Sequence, residues 1–202
     1  MGMIRDYLAF HREGQARVPG AKTVTLMEVG SFYEMYETAA CPTDLQRICT
    51  LLNILYTRRN KKAGGPLTEA NPALAGFTKG AWDKYVRVLL RAGYTVVQVR
   101  QVTPPPAPKR AIVAVHSPAT ALLDESPHAP YLAVVLVSGP PVYAGLAVVD
   151  LSTGRGTVQE SPGEDAVLGW IRRTRPRELC VVGPAAREHL LEPRRRPLLL
   201  RQ

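Results

Sequence analysis

The chain has 202 residues, 46% hydrophobic and 21% charged, which fits one full domain or two small ones and excludes wholesale disorder. Its 26 Lys and Arg outnumber 17 Asp and Glu, and the formal charge of +9 suits a polyanionic partner. No apolar run approaches ~18 residues, so no transmembrane helix is expected. The start, MGMIRDYLAFHREG, carries charges through its apolar stretch and has no small-residue cleavage site, unlike a secretory signal. Gly2 lacks the Ser or Thr spacing of a myristoylation site. Cys41, Cys49 and Cys180 are too few and too scattered for a disulfide framework or a CxxC metal site, and an intracellular, reducing compartment fits them. His11, His116, His128 and His189 are equally dispersed and do not suggest zinc.

In chain order, residues 2–13 read as a short helix with Ile4, Tyr7 and Leu8 on one side, ended by Gly14 and Pro19-Gly20. Lys22 to Val29 reads as a strand, interrupted by Gly30. PTDLQRICTLL is weakly helical, Asn53 to Arg59 is a strand candidate, and NKKAGGPLTEANP is a loop. Lys79 to Ala92 is the clearest helix. Trp82, Tyr85, Val86, Leu89 and Leu90 share one face, and Gly93 follows at the C′ position. YTVVQVRQV is a strand. Four prolines within Pro104–Lys109 suggest an extended boundary segment. Beyond it come a strand and turn (RAIVAVHSPAT), then three strands of an antiparallel meander in YLAVVLVSG and VYAGLAVVDLSTGRGTVQE. Ser161 as N-cap, Pro162 at N1 and Glu164 at N3 fit a capping box for a helix stopping before Pro176, and RELCVVGP is a last strand. The apolar strand YLAVVLV suits a sheet covered on both faces, yet one good helix is available, so this second unit reads as incomplete and the chain as the front of something longer.

Glu28-Val29-Gly30-Ser31-Phe32-Tyr33-Glu34-Met35-Tyr36 resembles the R-M-G-D-F-Y-E-L-F segment that opens the mismatch-recognition domain of the MutS family. PALAGFTKGAWDKYVRVLLRAGYTVVQVRQV resembles that family's P-M-A-G-V-P, helix, G-x-x-V-A-I-C-E-Q stretch, and VDLSTG resembles the D-x-S-T-G turn of its connector domain. The blocks stand in order across residues 20–185. GSFYE and QVTPPPAPKR look most like the branch found in giant viruses and octocoral mitochondria. The resemblance implies an α/β chain: an N-terminal arm (1–17), a small mixed-sheet mismatch-recognition domain (18–105), a linker and strand (106–129), and a partial ribonuclease-H-like connector domain (130–202).

The resemblance gives Phe32 and Glu34 the roles of wedge and reader of a mispaired base. In an extended segment, residues i and i+2 point the same way. A flat apolar ring can enter the minor groove and unstack a step at a few kcal/mol, and a mispaired step is already easier to deform. Glu34 is repelled by phosphates unless a displaced base donates a hydrogen bond to it, or unless it takes up a proton and donates one. Spacing alone would leave Phe32 and Tyr33 as core and Glu34 as a solvated charge. Ser31 replaces the family's Asp, removing one negative charge beside the ring. Arg58, Arg59, Lys61, Lys62 and Lys79, with Lys84 nearby, are candidates for backbone phosphate contacts that give salt-sensitive binding. Trp82 reads as core, and Arg194 to Arg196 could meet phosphate or be a loose end.

GxxxxGK[ST], GxSxG and HExxH patterns are absent, so no catalytic constellation is expected in this chain. ATP and Mg are expected only for a full-length family member, whose C-terminal ATPase also dimerises. Asp150, with Asp124, Glu125 and Glu160, is the sole hint of a metal-dependent nuclease, and Asp150 is better explained as a turn residue. The expected partner is duplex DNA with mismatches or small loops, with other repair proteins meeting the connector domain. This piece is expected to be monomeric, whereas full-length family members are dimeric. The alternative is a non-selective duplex-binding module or a repair-protein adaptor.

Overall fold

A computed structural model describes all residues except 1, 63, 121–130, 139–142, 184–199 and 202. The candidates Asp124, Glu125 and Arg194 to Arg196 therefore lie outside the described residues. Two compact units are present: Met1–Val18 with Lys22–Ser117, and Pro19–Ala21 with Pro118–Gln202. Both are mixed α/β.

In the first unit, α1 (Met3–Arg17), β1 (Lys22–Val29), β2 (Phe32–Glu37), α2 (Leu45–Leu52), β3 (Thr57–Arg58), β4 (Ala73–Thr78), a 3-10 turn at Lys79–Ala81, α3 (Trp82–Arg91), β5 (Tyr94–Gln101) and β6 (Arg110–His116) follow in order. The six strands are arranged β3-β4-β2-β1-β5-β6. β1 and β5 are parallel with Met27 beside Val99, and the other neighbours are antiparallel. Alternation along the strands sends Met27, Tyr36, Val97 and Val99 to the face covered by α1, where they pack on Ile4, Tyr7 and Leu8. On the opposite face Tyr33 meets Trp82 of α3 at 4.4 Å between ring centroids, and Phe77 meets Tyr85 at 4.5 Å.

The expected end of α1 at Gly14 is corrected by packing. The helix continues to Arg17, and Gly14 lies against β5, where a Cβ would stand 2.6 Å from Val97 Cγ2. The glycine is there for close approach and does not act as a breaker. The Asn53–Arg59 strand shortens to Thr57–Arg58, and β4, not read from the sequence, fills the space beside β2. The proline-rich segment joins β5 to β6: Val102 N–H donates to Lys109 O (2.8 Å), and Lys109 N–H donates to Thr103 Oγ1 (2.7 Å). β6, expected as a strand of the linker segment 106–129, is thus an edge strand of the first sheet. Prolines suit the tip of a connection between strands as well as a linker, and composition does not separate the two.

The second unit contains β7 (Tyr131–Ser138), β8 (Tyr143–Asp150), β9 (Gly156–Pro162), α4 (Glu164–Thr174), β10 (Glu178–Val182) and β11 (Leu200–Arg201), with sheet order β11-β10-β7-β8-β9. β7, β8 and β9 form the antiparallel meander, and β10 lies parallel to β7. Ala133, Val135, Val137 and Leu146 pack against Val167, Trp170 and Ile171 of α4. Leu136, Val158 and Val182 on the other face are exposed. The capping box is corrected: Ser161 and Pro162 belong to β9, and Gly163, which has no side chain to cap with, is the N-cap. Strand pairing of 161 and 162 with β8 takes precedence over the local signal. No helix among the described residues is long and apolar enough to cross a membrane.

Gly14→Val is expected to lower stability by about 1–3 kcal/mol, because α1 must move away from Val97. Urea unfolding of this variant beside the parent chain measures it.

Candidate nucleic-acid interface

β1 and β2 are joined by Gly30 and Ser31 alone, with Val29 opposite Phe32. Gly30 has φ +60°, which suits the first position of a tight II′ connection. Phe32 therefore begins β2 at the end of the sheet, and the residue is 44% exposed. Phe32, Glu34 and Tyr36 share the face that α1 covers, grading from exposed Phe32 through half-buried Glu34 to Tyr36, which is buried. The Tyr36 ring lies edge-on to Tyr7, 5.1 Å between centroids, and its hydroxyl donates to Glu34 Oε2. Gly76 of β4 sits beside Glu34, where a Cβ would stand 3.2 Å from Glu34 Cγ and 2.7 Å from the Tyr33 carbonyl. The surface next to the carboxylate is consequently flat.

A clamp holds the connection that carries Phe32. Glu28, buried on the α3 face, accepts from Lys79 Nζ (2.7 Å) and from the Gln101 N–H (3.2 Å), and its Oε2 is 3.6 Å from Arg100 Nε. Its backbone carbonyl accepts from Arg110 Nε at 2.9 Å. Lys79 N–H donates to Ser31 O at 2.9 Å. With its amide oxygen turned toward them, Gln101 accepts from Gly30 N–H (3.3 Å) and Arg110 Nη2 (3.2 Å). Burial alone would raise the Glu28 carboxyl, but the hydrogen bonds from Lys79 and Gln101, with the charges of Lys79 and Arg100, bring it below the ordinary value. The family form quoted above has Arg where Glu28 stands and Glu where Arg100 stands. The signs are exchanged here, and Glu28 and Arg100 face each other.

The basic residues divide into two groups. Arg58 pairs at Ala73 and Phe32 at Thr78, at opposite ends of β4. Five residues at ~3.4 Å each separate them by about 17 Å along the strand. Arg59, Lys61 and Lys62 are exposed on the loop after β3, which is shaped by Asn60 and Asn71: Asn60 N–H donates to Asn71 Oδ1 at 2.7 Å. Arg58 itself donates to Gly65 O at 2.8 Å. The structure therefore does not bring 58–62 to Phe32. Of the named candidates, Lys79 alone stands near Phe32, with its ammonium engaged by Glu28. Lys84 lies 5.0 Å from the ring centroid of Tyr85. Arg100, Lys109 and Arg110, not singled out from the sequence, share the end of the sheet where β1 and β5 both terminate. The signal that could have found them is the parallel pairing of two Val-rich strands, which composition suggests without giving the register.

Among the described residues, the second unit offers no comparable chemistry. Asp150 Oδ1 accepts from Ser152 N–H (2.9 Å) and Oγ (2.6 Å), and these bonds bring its carboxyl below the usual range. Glu160 pairs at Gly145, five residues along β8 from Asp150, so these two carboxylates do not converge. No cluster of metal-ligating side chains is found among the described residues. Burial pushes the Cys49 thiol up to about 11, so it is a poor nucleophile at neutral pH.

Residues 2–125 match the family MutS domain I. The chain belongs to the MutS family. It is 31% identical over 167 residues to a DNA mismatch repair mutS homolog of Acanthamoeba polyphaga mimivirus, covering 78% of this chain and 15% of that protein. It is 29% identical over 160 residues to the DNA mismatch repair protein MutS of Streptococcus gordonii, covering 77% of this chain and 18% of that protein. The chain thus spans less than a fifth of the length of either curated relative. These near-equal identities establish the family without choosing a branch.

Glu28→Gln is expected to lower stability at neutral pH by roughly 1–3 kcal/mol, through loss of charge-assisted bonds. A carboxyl held below its unfolded value contributes fully above that value and loses its contribution as pH falls. The parent chain should therefore lose stability on acidification from about pH 4.5 downward, and the variant should lose less over that interval. Thermal unfolding across pH 3–7 measures the difference.

Proposed function

We propose that this MutS-family chain recognises mispaired or looped bases in duplex DNA, with the Phe32 ring as a minor-groove wedge and Glu34 as hydrogen-bonding partner of the displaced base. The observation that carries the reading is the half-exposed Phe32 ring at a two-residue connection, with Glu34 on the same face. An exposed aromatic on a braced support suits insertion, since little ordering remains to be done on binding. A mispaired step deforms more readily than a paired one, so the wedge discriminates by deformability and needs no base code.

Arg100, Lys109 and Arg110, with Lys79, are the backbone-contacting candidates that accompany the wedge. Arg59, Lys61 and Lys62 would meet phosphates farther along the duplex. The second unit corresponds in order to the family's connector domain, and its exposed apolar face suits contact with other protein. Coupling to an ATPase, with ATP and Mg, belongs to a full-length protein and is not assigned to residues of this chain. This piece acts by binding and not by catalysis.

Fluorescence anisotropy at fixed salt, with a G·T or unpaired-T duplex beside its matched duplex, tests the reading. The parent chain should prefer the defective duplex, and Phe32→Ala should reduce the ratio toward one. Equal affinities would favour a non-selective duplex-binding module, and no binding at low salt would favour a protein adaptor. Alanine at Arg100, Lys109 and Arg110 together should weaken binding to both duplexes and shallow the salt dependence by up to about three counterions. It should also lower the preference for the defective duplex, because Arg100 and Arg110 brace the Phe32 connection. The same change at Arg59, Lys61 and Lys62 should do less.

A further inference from the structure

Glu34 has two carboxylate oxygens, and the described residues use one. Oε2 accepts the Tyr36 hydroxyl, the one hydrogen bond that the carboxylate makes among the described residues. Tyr36 is a rigid donor. It is 2% exposed, its ring is fixed edge-on to Tyr7, and Tyr7 in turn donates to Thr25 O at 3.2 Å. Burial, followed by the hydrogen bond and charge of Glu34, raises the Tyr36 phenol well above the ordinary tyrosine value, so it stays protonated and continues to donate. Gly76 beside Glu34 contributes no side chain that could occupy the remaining carboxylate oxygen or shield it. The family form quoted above carries Phe at this place and has no such donor.

We propose that Tyr36 is a positioning residue that ties one oxygen of Glu34 to the protein and leaves the other to accept from a base, so that this chain favours displaced bases with an imino N–H, thymine and guanine. The proposal rests on the wedge-and-reader reading above. A carboxylate already receiving one hydrogen bond can take a second from thymine N3–H or guanine N1–H. A base that offers acceptors alone at that edge leaves the free oxygen unpartnered beside DNA, which is unfavourable. Side-chain freedom matters as well. An untethered Glu must give up rotamers on meeting the base, whereas the Tyr36 bond has already removed them.

The test uses the whole 202-residue chain and three duplexes: matched, with an unpaired thymine, and with an unpaired 3-methylthymine, which lacks the donor. The parent chain should bind the thymine duplex about tenfold better than the methylated one, the scale of one charge-assisted hydrogen bond. Tyr36→Phe should shrink that ratio at least about threefold while leaving matched-duplex affinity nearly unchanged. Its unfolding midpoint should fall through the lost bond to Glu34, with the chain staying folded at the assay temperature. Glu34→Ala supplies the steric baseline for the added methyl group. In that background Tyr36→Phe should have no further effect, because a residue acting through Glu34 has nothing left to act on.

An undiminished ratio in Tyr36→Phe, or an equal effect of that change with and without Glu34, overturns the assignment to Tyr36 while the wedge reading stands. A parent chain that prefers thymine over matched duplex yet ignores the methyl group also overturns it. A parent chain with no preference for the unpaired thymine over the matched duplex overturns the wedge reading, and this inference with it.

Discussion

One buried carboxylate holds the end of the first sheet in shape. Glu28 gathers the ammonium of Lys79, the backbone N–H of Gln101 and the guanidinium of Arg100, and its own carbonyl receives Arg110. A carboxylate taken out of water is unfavourable unless such partners replace the lost hydration. The partners come from three separate segments, so satisfying Glu28 also fixes the 3-10 turn, β5 and β6 against β1. The short connection bearing Phe32 emerges from this braced end. The wedge role proposed for Phe32 needs such a support, since a loose loop would fold back on itself, whereas here the backbone at Gly30 and Ser31 is held by hydrogen bonds.

The opposite ends of the Phe32–Glu34–Tyr36 stripe do different work through one strand. At Tyr36 the sheet face is covered by α1 and the aromatic ring is core. At Phe32 the same face is uncovered and the ring meets solvent. Glu34 stands at the boundary, tied to the buried end by Tyr36 and open on the flat side left by Gly76. Alternation along β2 also sends Tyr33 and Met35 to the α3 side, so the residues that anchor the strand there and those of the Phe32–Glu34–Tyr36 stripe are interleaved. Changing one set therefore need not disturb the other.

Much of the first unit was legible because its signals are local. The Val- and Thr-rich run of β1, the apolar face of α3 and the positive-φ glycines at 30 and 93 depend on neighbours a few residues away. The errors arose where a local signal has two physical meanings. Gly14 reads as a helix breaker and is a close-packing position. The prolines before Lys109 read as a linker and cap a connection between strands. Ser161-Pro162 reads as a helix start and is claimed by pairing with β8. In each case a partner distant in sequence determined which meaning holds.

The sequence by itself determined the α/β class, the family and the Phe32–Glu34 pair, because motif order and strand alternation are properties of the chain as written. Tertiary structure alone decided which cations accompany that pair. Arg110 reaches Glu28 from 82 residues away, while Arg58 to Lys62, much nearer in sequence, stand at the far end of β4. Strand order and register set that distance. They follow from burying both faces of the whole sheet at once, a condition that no short stretch of residues encodes.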